Sequence, residues 1–168
     1  MRRIAIYIIA ALVVLIAIPV VASLGEYTRA KTALHDDSRF IRELSVIALT
    51  ADAFGMAEVT DFDWDTLYIF GPYTTWREME EQVGRAWYES YADYLIRRTP
   101  IGRHPVDDDS LQKLVFALDG RVVLDATVRR SIIDFTKLDK TRLSSEEAFF
   151  DLQCQNRWTT ALRRKTPA

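Results

Sequence analysis

Cysteine and histidine are nearly absent from this chain, which removes several kinds of chemistry at once. The sole cysteine among 168 residues is Cys154, so no internal disulfide is available. A domain bound for an oxidising compartment must then be stable through its core. Cys154 also lies far from the apolar N-terminal stretch, so no cysteine stands where a bacterial lipoprotein would carry one. It reads as a small, partly buried hydrophobe. The two histidines, His35 and His104, stand in separate loop-like stretches. Metal ligation or a Ser-His-Asp triad would need long-range assembly around either of them. There is no nucleophile elbow, zincin histidine pair or phosphate loop. No cofactor is therefore expected, and an enzyme gains no support, although missing motifs do not exclude one.

A strong charge bias is missing too. The formal net charge is −2, and removing Arg2 and Arg3 leaves −4 for the rest. That balance gives no electrostatic footprint for nucleic acid. Neither an internal repeat nor a low-complexity linker is present. Arg157, Arg163, Arg164 and Lys165 mark residues 155–168 as a basic C-terminal tail. Its simplest reading is a solvated, frayed end, with lipid headgroup contact as the alternative.

Charge is lacking altogether in residues 4–22, which run from Ile4 to Ala22 behind Arg2 and Arg3. At about 1.5 Å of rise per residue, such a run nearly spans a hydrocarbon core of roughly 30 Å. A helix is the form in which lipid tolerates backbone polar groups, so residues 1–23 read as a transmembrane signal-anchor. A cleaved signal peptide is the other reading. Val20-Val21-Ala22 offers compact residues at a cleavage site, but the run exceeds the usual h-region of about 7–15 residues. The positive-inside bias leaves the remainder outside the cytoplasm, as a single-pass membrane protein. Arg29, Lys31 and Arg39 on the far flank weaken that orientation, and the inverted one stays open.

Residues 24–37 read as a juxtamembrane linker and 38–154 as an α+β extracytoplasmic domain. About 145 residues beyond the anchor, with 4 Trp, 8 Phe and 7 Tyr in the chain, suffice for one packed core. Ser38 is expected to cap a helix to about Thr50, with Phe40, Ile41, Leu44, Ile47 and Ala48 as its apolar stripe. The aromatic and branched stretch from Asp61 to Phe70 reads as a strand stopped by Gly71-Pro72. Thr75 and Glu78 have capping-box spacing, and apolar residues recur from Trp76 to Leu95 at helical intervals. Gly84 either weakens that helix or breaks it in two.

Leu114 to Val128 around Asp119-Gly120 reads as a hairpin, since Asp-Gly accepts the positive φ angles of a two-residue turn. In the expected register Val115, Ala117, Val122, Leu124, Ala126 and Val128 share one buried face. Ser144 and Glu147 repeat the capping-box spacing, which predicts a last helix from about Ser145. The expected fold is thus one N-terminal transmembrane helix followed by a small antiparallel sheet with helices packed on one face.

Asp63-Trp64-Asp65, Tyr68, Phe70, Pro72, Tyr73 and Thr74 form a pattern that resembles one in small exported or membrane-anchored bacterial proteins of unknown function. The resemblance covers about a dozen residues and the general order of a following helix and hairpin. It implies location and fold and brings no activity with it.

Asp61, Asp63 and Asp65 alternate, so in a strand they line one face and offer a weak candidate for a divalent cation. A calcium loop would need glycine at its sixth position and glutamate at its twelfth, where this chain has Pro72. Gly71, Pro72 and Tyr73 complete the candidate interaction surface, because loops carry contacts while strands carry stability. The expected function is a non-enzymatic, membrane-tethered interaction or regulatory domain that contacts another envelope protein. The alternatives are an envelope hydrolase using Asp61, Asp63 and Asp65 with Asp107, Asp108 and Asp109, or a calcium-stabilised structural module.

Overall fold

A computed structural model describes residues 18, 20–99, 102, 105–155 and 158–164. Residues 20–30 are helical (α1). The order continues as α2 (Asp37–Thr50), β1 (Ala53–Gly55), β2 (Thr66–Phe70), α3 (Trp76–Val83) and α4 (Tyr91–Arg97), with one 3₁₀ turn after β1. Then follow β3 (Leu111–Leu118), β4 (Arg121–Arg129), β5 (Arg142–Ser144), β6 (Phe149–Gln155) and β7 (Trp158–Arg163).

The class is α+β, but the expected single sheet is two antiparallel sheets, ordered β4-β3-β2-β5 and β1-β6-β7. No helix of the described residues is long and apolar enough to cross a membrane, so the transmembrane helix expected over residues 1–23 has no counterpart among them. Most of the apolar run 4–22 lies outside the described residues. The single covered face is corrected as well. One face of the four-stranded sheet packs Leu67, Ile69, Leu114, Phe116 and Leu124 against Phe40 and Leu44 of α2 and Phe150 of the second sheet. The other packs Tyr68, Phe70, Val115 and Val122 against Met79 of α3 and Trp87. Burial on both faces explains why β2 and β3 read as near-continuous apolar runs rather than alternating ones.

The hairpin forms as expected, with Asp119 at φ 50° and Gly120 at φ 69°. Its register is not the expected one. Ala117 pairs with Val122 but Phe116 pairs with Leu124, so Val123 is an extra residue in β4. This bulge turns Val122 toward one core and Leu124, Ala126 and Val128 toward the other. The side chains expected on one face are divided between two.

The cap of helix α2 lies two residues earlier than expected, because Asp36 rather than Ser38 supplies the capping oxygen. Its stripe behaves as read, with Phe40 and Leu44 buried and Ile41, Ile47 and Ala48 packed beside them. The Thr75–Glu78 capping box closes reciprocally at the start of α3. Gly84, in the left-handed conformation at φ 85°, ends α3, so the long helical pattern is two short helices.

The helix expected from Ser145 is a hairpin of strands β6 and β7. Glu147 still reaches back to accept from Ser144 N at 3.0 Å, but the motif closes a turn instead of opening a helix. Ala148 and Phe150, with Leu152 packed beside them, alternate into the core at a period of two. Arg163 and Arg164 are held there by Asp139 and Asp151, while Arg157 and Lys165 lie outside the described residues.

The segment after α1 lies against the domain. Thr32 N donates to Tyr88 O at 3.0 Å and His35 N to Val123 O at 2.9 Å, beside the bulge of β4. The His35 ring stacks on Phe62 at 4.7 Å. Buried Gln112 joins the two sheets through the 133–135 segment. It donates to Ile133 O and accepts from Phe135 N, while Asp134 N and O pair with Thr159 and Ala161 in β7.

Candidate functional site

The sequence-derived surface divides between the two ends of β2. Asp61, Asp63 and Asp65 precede the strand rather than lining it, because pairing begins only at Thr66. Asp61 forms an exposed ion pair with Arg39. Asp65 accepts from Asp119 N at 2.7 Å, which fastens the tip of the β3–β4 hairpin to the start of β2. Trp64 points inward, its indole donating to Thr60 Oγ1 at 3.0 Å and its ring edge-on to Phe116. Among the described residues, no group of three or more His, Cys, Asp or Glu is arranged to hold a metal.

Gly71, Pro72 and Tyr73 lie at the other end. Five strand residues separate Asp65 from Gly71, roughly 20 Å at 3.3 Å per residue. Asp107, Asp108 and Asp109 precede β3 and join Tyr73, whose N donates to Val106 O at 2.6 Å. The carboxylates of the hydrolase alternative therefore stand at opposite ends of the sheet and share no cleft. His104 lies outside the described residues.

Tyr73 is unusual in two respects. Its φ of 64° is in the left-handed region, which is rare for a bulky side chain, and the residue is 55 % exposed. Thr74 Oγ1 donates to Gly71 O at 2.9 Å and holds the turn. The Tyr73 hydroxyl donates a hydrogen bond to Asp109, and this bond with the charges of Asp109, Asp108 and Asp107 pushes the phenol pKa up. The result is an outward aromatic ring on an acidic rim.

A second constellation escaped the sequence reading. Lys113 of β3 and Asp125 of β4 form an ion pair with side chains 7 % and 5 % exposed. Trp87 Nε1 donates to the other oxygen of Asp125 at 2.8 Å. Arg97 of α4 lies above, with its guanidinium 3.3 Å from the centre of the Trp76 ring and Nε 2.7 Å from Asp93. It also donates to Trp87 O at 2.9 Å. Burial beside this group raises the pKa of Glu80, opposed by the charge of Arg97. The charges pair off and the aromatic rings close over them. The arrangement clamps α3 and α4 to the sheet rather than presenting a reactive group. Its one sequence signal was a lysine and an aspartate at inward positions of otherwise apolar strands.

The clamp continues to α1. Tyr27 packs edge-on to Tyr91 at 5.4 Å, and Glu26 accepts from Tyr94 OH at 2.8 Å and pairs with Arg98. On the opposite side of the molecule, an open groove of about 610 Å³ runs between α2 and the β6–β7 hairpin. Ala48, Leu49, Ile132, Leu152 and exposed Cys154 line it.

No family model, no curated protein and no solved structure matches this chain.

Proposed function

We propose that the protein is an interaction module of the bacterial envelope, attached to a membrane through residues 4–22 and facing away from the cytoplasm, with Tyr73 at the centre of its contact surface. The observation that carries this reading is Tyr73 itself. Left-handed backbone costs a bulky L-residue about 1–2 kcal/mol, and a ring left 55 % exposed recovers little of it by packing. Strain held at an exposed turn points to use of that turn. The acidic rim of Asp107, Asp108 and Asp109 favours a basic segment on the partner. The uncharged run with Arg2 and Arg3 before it supports the membrane attachment and the orientation.

The test places a photoreactive side chain at Tyr73, and separately at exposed Leu49 on the far side, in the full chain in its native membranes. A crosslinked species from position 73 that is absent from position 49, and lost on Asp109→Lys, supports the reading. Tyr73→Gly is expected to leave stability unchanged or up to about 1 kcal/mol higher while removing the contact. A fall of several degrees in Tm for Tyr73→Gly, with no position-specific crosslink, refutes it.

A further inference from the structure

We infer that the outward face of α4, carrying Leu95 and Ile96, rests in the lipid headgroup layer; this rests on the membrane attachment proposed above. The uncharged run ends at Ala22. At the next residue, Ser23 Oγ lies 2.8 Å from the Tyr91 hydroxyl of α4. One turn later Tyr27 packs on Tyr91 and Tyr94, and Glu26 engages Tyr94 and Arg98. No slack separates the end of the apolar run from α4, so a surface that holds the run also meets this helix.

The exposed side of α4 fits such a surface. Leu95 is 47 % and Ile96 55 % exposed, and exposed Ala92 and Thr99 flank them at helical spacing. On α1, which packs on α4, Val21 is 67 % and Leu24 41 % exposed. Tyr27, Tyr91 and Tyr94 stand at the junction, rings packed together and the Tyr91 and Tyr94 hydroxyls bonded, in the amphipathic arrangement that favours a membrane–water boundary. Beneath α4, Arg97 is pinned by Asp93, Trp87 O and the Trp76 ring, so the helix cannot roll its apolar side inward.

The test uses the full chain with Cys154→Ser, reconstituted in vesicles of phosphatidylethanolamine and phosphatidylglycerol. An environment-sensitive fluorophore is attached to Val13→Cys, Ile96→Cys or Arg77→Cys in turn, and lipids with nitroxides at the headgroup, the upper acyl chain and the chain end act as quenchers, so that both the core and the boundary of the bilayer are read. Quenching at 13 and 96 but not at 77 is expected. Leu95→Glu with Ile96→Glu should leave Tm unchanged, since both side chains are exposed, and abolish quenching of a label at Ala92→Cys. Quenching at 13 with a water-exposed, unquenched 96 overturns the inference and leaves membrane attachment standing. A label at 96 that is shielded from water but not quenched overturns it in favour of a protein cover. Labels unquenched at both 13 and 96 overturn membrane attachment and the inference together.

Discussion

Asp125 serves two buried donors at once, and removing it isolates both. The side chain is 5 % exposed, with Lys113 Nζ on one oxygen and Trp87 Nε1 at 2.8 Å on the other. In Asp125→Ala the Lys113 ammonium, 7 % exposed, loses its counterion. Stranding one member of a buried pair costs about 3–5 kcal/mol, and an orphaned indole donor about 1–3 kcal/mol. The two penalties share one desolvated site and do not add, so a total of about 4 kcal/mol is expected. Against a typical domain stability of about 5–15 kcal/mol, that is a large share. With a urea m value of about 1–3 kcal/mol/M, the midpoint should fall by roughly 2 M.

Asp125→Asn separates the contributions, because it keeps an acceptor for Trp87 while stranding Lys113. Adding Lys113→Met removes the orphan charge and should recover most of the loss, with a coupling of about 2 kcal/mol. Urea unfolding of the unsubstituted protein, Asp125→Asn, Lys113→Met and the double variant in the same detergent, followed by Trp fluorescence, reads this cycle, with Asp125→Ala measured beside them. A cost below about 1 kcal/mol for Asp125→Ala refutes the argument. So does a double variant no more stable than Asp125→Asn alone.

Further outcomes follow from individual positions. The hydrogen bond from Lys140 and that from Ser144 N pull the Glu147 pKa from 4.5 down to about 2. A depressed carboxylate stabilises above its unfolded value and loses that contribution as pH falls through the folded one. Glu147→Gln should therefore flatten the acid limb of the stability curve between those values, in unfolding experiments at stepped pH. An unchanged limb counts against the pairing. Gly120→Ala meets no atom within 4 Å at the new Cβ but keeps φ at +69°, so strain alone should cost about 1 kcal/mol by denaturant unfolding. Calcium should produce no thermal shift, because Asp61 is paired with Arg39 and Asp65 with Asp119 N. A clear rise in Tm would show that the three aspartates regroup.

The parts of the fold legible in the sequence are those whose signal is local. Asp119-Gly120 specifies a tight turn wherever two apolar strands flank it, and Thr75 with Glu78 opens a helix through its own backbone. The same spacing at Ser144 and Glu147 misled. The bond from Ser144 N to the Glu147 carboxylate forms, but the decision between helix and strand for residues 149–155 rests on pairing with Ala53–Gly55 and with β7. Phe54 opposite Phe150 is a contact nearly a hundred residues apart, invisible to any local window. Of the candidate surface, the turn at Gly71-Pro72-Tyr73 was found by its composition. That Tyr73 is strained and exposed, and that Asp61 and Asp65 are already engaged, required the coordinates.

What the amino-acid order determined by itself is the uncharged opening run, the Thr75–Glu78 start of α3 and the Asp-Gly hairpin, because charge, capping and turn chemistry act between near neighbours. Only the tertiary structure decided that there are two sheets, that both faces of the larger are covered, and that Lys113 and Asp125 meet inside. The bulge at Val123 shows the reason. One extra residue reverses which side chains face which core, and the choice depends on what α2, α3 and the second sheet bring to each face.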